Sequence, residues 1–170
     1  MQAKVEKKKR VAVVGATGIA GQQFLIALKD HPWFEITALA ASPRSAGKRY
    51  EDALRTPNGQ VSWWQYEPIP AAYRDMIVQN SEELNFKELD IIFTAIDTDA
   101  AKALEPIYAS HLPTISTASA FRMEADVPLL MPGVNSDHAA MIAAQQKNRG
   151  WKGFIVPIPN CTTYGLACTL

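Results

Sequence analysis

The sequence is poor in the features that would place a protein in a membrane, at a metal centre or in an oxidising compartment. No apolar run approaches the ~18 residues that a membrane span needs, and the first residues lack the apolar core of a signal peptide. There are only two cysteines, Cys161 and Cys168. Seven apart on one predicted helix, they would have Cα atoms ~10 Å apart, beyond disulfide reach. A reduced, cytoplasmic protein is the expectation. No metal site is expected, and His31, His111 and His138 read as structural. Neither sign of charge prevails, with 17 basic and 17 acidic residues, which argues against broad nucleic-acid affinity. The run Lys7-Lys8-Lys9-Arg10 reads as a solvated lead to the first strand. What remains is 170 residues, 48% hydrophobic, without repeats or low-complexity segments, enough for one domain with a sizeable core.

The organising stretch is Val11-Ala12-Val13-Val14-Gly15-Ala16-Thr17-Gly18-Ile19-Ala20-Gly21. Small and β-branched residues run into three glycines, and Gln22 to Leu28 continue with a helical apolar pattern. Strand, tight turn and helix in that order suit a dinucleotide. Gly15 permits the turn, Gly18 a close approach of pyrophosphate, and Gly21 close packing of the helix on the strand. The helix N-terminus, from Ile19 and Ala20 onward, offers free N–H groups and a positive dipole end. Thr17 stands where the commoner fingerprint has its second glycine.

Phe34 to Ala41 reads as the second strand, after His31-Pro32 has stopped the helix near Asp30. An acidic residue at the end of that strand would select NAD, and none is present. The chain has Ser42-Pro43-Arg44-Ser45-Ala46-Gly47-Lys48 instead, hydroxyls and cations suited to a 2′-phosphate. NADP(H) is therefore the expected cofactor, with Ser42, Arg44 and Ser45 in its site. Tyr50 to Pro70 is irregular, with Trp63, Trp64 and Tyr66 expected to cover the sheet edge. A strand over 75–79 should precede a short helix capped by Ser81. Further strands are expected over 90–96, 113–116 and 154–158, and a helix over 100–110. Strands alternating with helices give an α/β fold, a Rossmann-like, doubly wound and mostly parallel sheet.

Pro159-Asn160 breaks the last strand and Thr162 onward can be helical, so Cys161 falls at a strand-to-helix junction. Such a position favours a thiolate, the nucleophilic form, and neighbouring N–H groups could hold an oxyanion. From the residues alone, a buried structural cysteine is an equal reading. Cys168, among Leu166, Ala167 and Leu170, reads as core.

Four pieces in order resemble the aspartate-semialdehyde dehydrogenase family, most closely its archaeal and fungal branch. They are Gly-Ala-Thr-Gly-Ile-Ala-Gly, Ser-Pro-Arg-Ser-Ala-Gly-Lys, Phe-Arg-Met with Asp-Val-Pro-Leu, and Pro159-Asn160-Cys161-Thr162-Thr163. Together they span Val11 to Thr163. The resemblance implies that Cys161 attacks an aspartyl phosphate, expels phosphate and forms a thioester that NADPH reduces to aspartate semialdehyde. It places Arg122 on the substrate phosphate, Asn160 beside the nucleophile as a second substrate-binding residue, and Ala95 and Ser119 along the cofactor. It implies biosynthesis of lysine, threonine and methionine, small-molecule substrates, and a homo-oligomer, dimer or tetramer, when full length. Gly133 replaces the family's usual glutamate, and Thr117 a common asparagine. The family also has a second domain beyond the nucleophile. The expected organisation is thus a disordered lead over 1–9, a dinucleotide-binding domain over 10–160, and over 161–170 the start of a nucleophile helix. Such a chain alone is expected to bind cofactor weakly, to associate through uncovered apolar residues and to lack turnover. Two other readings are a malonyl-CoA reductase-like enzyme, disfavoured by Asn160 and Thr163, and a non-catalytic nucleotide-binding module.

Overall fold

A computed structural model describes residues 7–169, in two compact units that divide between Ala95 and Ile96. The expected disordered lead falls outside the described residues up to residue 6. Lys9 already belongs to the first strand, its N–H donating to the Trp33 carbonyl at 2.8 Å.

The first unit contains β1 (Lys9–Val14), α1 (Ile19–Ala27), β2 (Phe34–Ala41), α2 (Tyr50–Ala53), α3 (Ala71–Arg74), β3 (Val78–Asn80) and β4 (Ile91–Thr94). Its strands are all parallel, in the order β3-β2-β1-β4. β1 lies between β2 and β4, and Val11, Ala12, Val13 and Val14 are completely buried. A central parallel strand is covered on both faces, so it needs a continuous apolar run and not an alternating one. Leu25 of α1 and Leu39 of β2 join Val11 and Val13 in the core cluster, each such side chain contributing about 1.5–3 kcal/mol by burial. At the edge of β1, Arg10 donates from its backbone and its guanidinium to Asp90, which holds that carboxyl below the usual carboxylate range.

Several local expectations shift. α1 ends at Ala27, before His31-Pro32, because Leu28 caps it and Asp30 takes a left-handed φ of 55°, a conformation Asp tolerates. β3 begins at Val78, not Asp75. Ser81 caps no helix: it is buried, and its N–H extends the strand by donating to the Ala41 carbonyl at 3.0 Å. Only a 3-10 turn follows, over Phe86–Glu88, with Asn85 as its cap. Trp63 packs on the core, but Trp64 and Tyr66 cover nothing, since both side chains are exposed.

The second unit contains α4 (Thr98–His111), β5 (Pro113–Ser116), α5 (Met141–Arg149), β6 (Phe154–Pro157) and α6 (Cys161–Ala167). β5 and β6 pair in parallel. α4 starts two residues before the expected boundary because the Asp97 carboxylate accepts from the Asp99 and Ala100 N–H groups. The wholly buried Gln145 holds α5 to β6, donating to the Ile155 carbonyl at 3.0 Å and accepting from its N–H at 2.7 Å. Arg149 clamps Asp126, whose carboxyl its hydrogen bond lowers below the ordinary range. α6 buries none of its residues, and Cys168 is exposed, not core. Apolar neighbours along a helix make a core position only where another element packs on that helix.

The contact that sets α1 against β1 is at Gly21. A Cβ there would lie 2.1 Å from the Gly15 carbonyl oxygen and 2.8 Å from the Ala16 Cα. Both are backbone atoms that cannot rotate away. Gly21→Ala should therefore lower stability by about 3 kcal/mol or more, read as a fall in the urea midpoint.

Candidate functional site

The glycine-rich turn is held from within the first unit. Gly15 adopts a φ of 82°, and the Gly15 and Ala16 N–H groups both donate to the Ala40 carbonyl, at 2.8 and 3.1 Å. Its own carbonyls are directed inward. That of Gly15 accepts from Gly18 at 3.0 Å, that of Ala16 from the Tyr50 hydroxyl at 2.7 Å, and that of Thr17 from Gln22 Nε2 at 3.1 Å. Burial pushes the Tyr50 phenol far up, so it stays a neutral donor.

With its carbonyls engaged, the turn presents the uncapped start of α1 outward. Gly18 has no side chain to cap it, there is no acidic residue in the first turn, and Gly18, Ile19 and Ala20 are exposed. This is the electrostatic setting that attracts phosphate. A Cβ on Gly18 would meet only the Gly15 oxygen, at an ordinary 3.5 Å. The fold does not require that glycine, whereas a group lying against the turn would.

Beside the turn is a cleft of about 570 Å³, within the size range of small-molecule pockets. Thr17, Arg44 and Ser45 line it together with Lys48, Arg55 and Ser62. Three of the expected cofactor residues thus converge. Arg44 and Lys48 are exposed and, among the described residues, make no ion pair, while Arg55 is paired with Glu51 at 3.4 Å. Ser42 lies outside the lining and shapes the loop instead, its carbonyl accepting from the Ser45 N–H at 2.9 Å. Ala95 follows β4, its N–H bonded to the Val14 carbonyl at 2.8 Å, at the carboxyl end of the strands where α/β folds bind ligands. Arg55, Ser62, Gln22 and Tyr50 were not anticipated. Arg55 and Ser62 sit in a stretch without a motif, and the partners of Gln22 and Tyr50 lie up to 42 residues away.

The cysteine turn lies in the second unit. Asn160 caps α6, its Oδ1 accepting from the Thr163 N–H at 2.8 Å, and Cys161 is the first helical residue, exposed. The half-buried Arg122 donates from Nε to the Ile158 carbonyl at 3.0 Å and from Nη2 to the Thr117 carbonyl at 2.8 Å. The Ile158 N–H is in turn bonded to the Ser116 carbonyl at 2.8 Å. Arg122 is thereby fixed two residues from the Asn160-Cys161 junction, with guanidinium N–H groups left for a further acceptor. Ser119 is exposed and shares a hydrogen bond of 2.9 Å with the Thr98 hydroxyl. Asn135 staples the loop after residue 128 through Leu129 and Met131. Among the described residues no group of three or more His, Cys, Asp or Glu side chains could hold a metal, and no helix is long and apolar enough to cross a membrane.

Residues 10–142 match the family model described as semialdehyde dehydrogenase, NAD binding domain. An aspartate-semialdehyde dehydrogenase of Methanothermobacter thermautotrophicus is 45% identical over 161 residues, covering 94% of this chain and 44% of that protein. That of Archaeoglobus fulgidus is 42% identical over 161 residues, covering 94% and 45%. The crystal structure of aspartate semialdehyde dehydrogenase with NADP from Candida albicans superposes with a TM-score of 0.80 at 41% identity, covering 94% of this chain and 45% of that one. The fold expected from the strand–helix alternation, Rossmann-like α/β, is the fold found. The chain spans less than half the length of these relatives.

Tyr50→Phe tests the brace on the turn. It removes the only side-chain donor to the buried Ala16 carbonyl among the described residues and should cost about 1–3 kcal/mol in unfolding free energy, measured by chemical denaturation.

Proposed function

Because the chain belongs to the semialdehyde dehydrogenase family through its NAD-binding domain, we propose that it is the nucleotide-binding, nucleophile-bearing part of an NADP-dependent aspartate-semialdehyde dehydrogenase. The observation that carries the reading is the cysteine turn: an exposed Cys161 at a helix start, with Arg122 fixed on the strand end that leads into it. In this reading the Cys161 thiolate attacks the carbonyl carbon of an aspartyl phosphate. The carbon–oxygen bond to phosphate breaks and a thioester forms on Sγ. Arg122 holds the substrate phosphate with its remaining N–H groups, the pairing for which a guanidinium is suited. Asn160 fixes the turn that carries the thiol and orients the substrate beside it.

The turn and cleft of the first unit fit NADP(H). Gly15, Gly18 and Gly21 shape the phosphate turn, and the N–H groups from Ile19 and Ala20 onward take the pyrophosphate. Arg44 and Ser45, joined by Lys48, take the 2′-phosphate on the loop that Ser42 shapes, while Ala95 and Ser119 border the cofactor. When bound, NADPH supplies the hydride that turns the thioester into the aldehyde. The substrates are small molecules, and the assembled protein is a homo-oligomer acting in lysine, threonine and methionine biosynthesis. The domain reading is likewise proposed, with residues 10–160 binding nucleotide and 161–170 opening the nucleophile helix.

Three experiments test these assignments. Arg44→Ala removes a charge-assisted contact worth about 1.5–3 kcal/mol. It should weaken NADP+ binding roughly tenfold or more and leave NAD+ unchanged; equal losses would refute the 2′-phosphate assignment. Cys161 should be alkylated faster than Cys168 at neutral pH. Both are exposed, so the ratio reads reactivity and not access. In a full-length protein, Cys161→Ala should abolish turnover and leave NADP+ binding intact, while earlier labelling of Cys168 by mass spectrometry would overturn the nucleophile.

A further inference from the structure

Gln22 is completely buried on the first turn of α1, although its residue type is usually found at the surface. Its amide makes three hydrogen bonds to backbone. Nε2 donates to the Thr17 carbonyl at 3.1 Å and to the Ser62 carbonyl at 2.7 Å, and Oε1 accepts from the Trp64 N–H at 2.8 Å. Both amide protons and the carbonyl oxygen are therefore used. Two of the partners belong to a segment some 40 residues further along the chain, without regular structure of its own. Thr17 and Ser62 both line the cleft beside the glycine turn.

One side chain thus bonds the phosphate turn to the segment that forms part of the cleft wall. Trp64 shows what this bond organises: its N–H is fixed inward by Gln22, while its indole is left in solvent. The segment is also held by Trp63, which packs on the core, and by the Ser62 N–H, which donates to the Leu54 carbonyl at 2.9 Å, but neither of these contacts reaches the glycine turn. We propose that Gln22 is a positioning residue for nucleotide binding, which sets the spacing between the glycine turn and the cleft wall at Ser62 without touching the ligand. The inference rests on the reading of this cleft as the NADP(H) site. A pre-set cleft binds without having to order its own walls, so loss of the brace should appear as lost affinity.

The test compares affinity with stability in the same variants. NADP+ is titrated into the isotope-labelled chain, and backbone amide shifts of residues 15–21 report dissociation constants into the millimolar range. Gln22→Met removes all three bonds at similar volume. Gln22→Glu keeps the acceptor for Trp64 but, when ionised, loses both donors, and it serves if the methionine variant does not fold. Leu25→Ala, a core truncation in the same helix, is the control for destabilisation alone. The expected result is a roughly tenfold or greater loss of NADP+ affinity in the Gln22 variants. Leu25→Ala should lower the melting temperature and bind as the parent does. Gln22 variants that melt earlier but bind like the parent would show a purely structural residue and overturn the inference, leaving the nucleotide reading intact. A parent chain whose turn amides do not respond to NADP+ would overturn that reading, and this inference with it.

Discussion

The first unit depends on how closely α1 can approach the end of β1. That approach passes through one contact, Gly21 against the Gly15 carbonyl, where no side-chain atom fits. Once the helix is so close, the turn between them has little choice of path. Its carbonyls point into the protein, toward Tyr50 and Gln22, and its N–H groups and the helix dipole point out. Anion binding is then a consequence of packing, because the donors left at the surface are those the helix cannot satisfy itself.

The second unit solves a comparable problem with different means. The chain leaving β6 must turn sharply and begin a helix with Cys161 in front. Pro159 ends the strand and Asn160 caps the helix, so Cys161 is presented by the turn and not by burial. Arg122 then spans the carbonyls of Thr117 and Ile158. A guanidinium fixed in this way cannot swing freely, which would reduce the entropy lost on pairing with any further acceptor. In both units, backbone carbonyls held by buried or half-buried side chains orient the groups left for a ligand.

Charge in the cleft is distributed in the same spirit. Arg55 is already neutralised by Glu51, whereas Arg44 and Lys48 are not paired among the described residues. An anionic ligand entering there meets cations whose partners need not be displaced. The missing carboxylate at the end of β2 matters equally, since it would repel a 2′-phosphate.

Much of this was determined by local sequence. The run Val11 to Val14 could only be a covered strand, the three glycines could only be a turn under a helix, and Pro159-Asn160 had to end a strand. The strand–turn–helix order, the loop with Arg44 and Lys48 but no carboxylate, and the strand-to-helix junction at Cys161 were legible because each depends on residues within a few positions of one another. Tertiary structure decided what depends on distant partners. It assigned Gln22 to Ser62 and Trp64, Tyr50 to Ala16, and Arg122 to Ile158. It made Ser81 a strand extension instead of a cap, and left Cys168 and Trp64 in solvent where composition suggested cover. The physical reason is the same throughout. Backbone geometry and capping are settled by neighbours in the chain, whereas burial and the pairing of a polar side chain are settled by whatever the fold brings beside it.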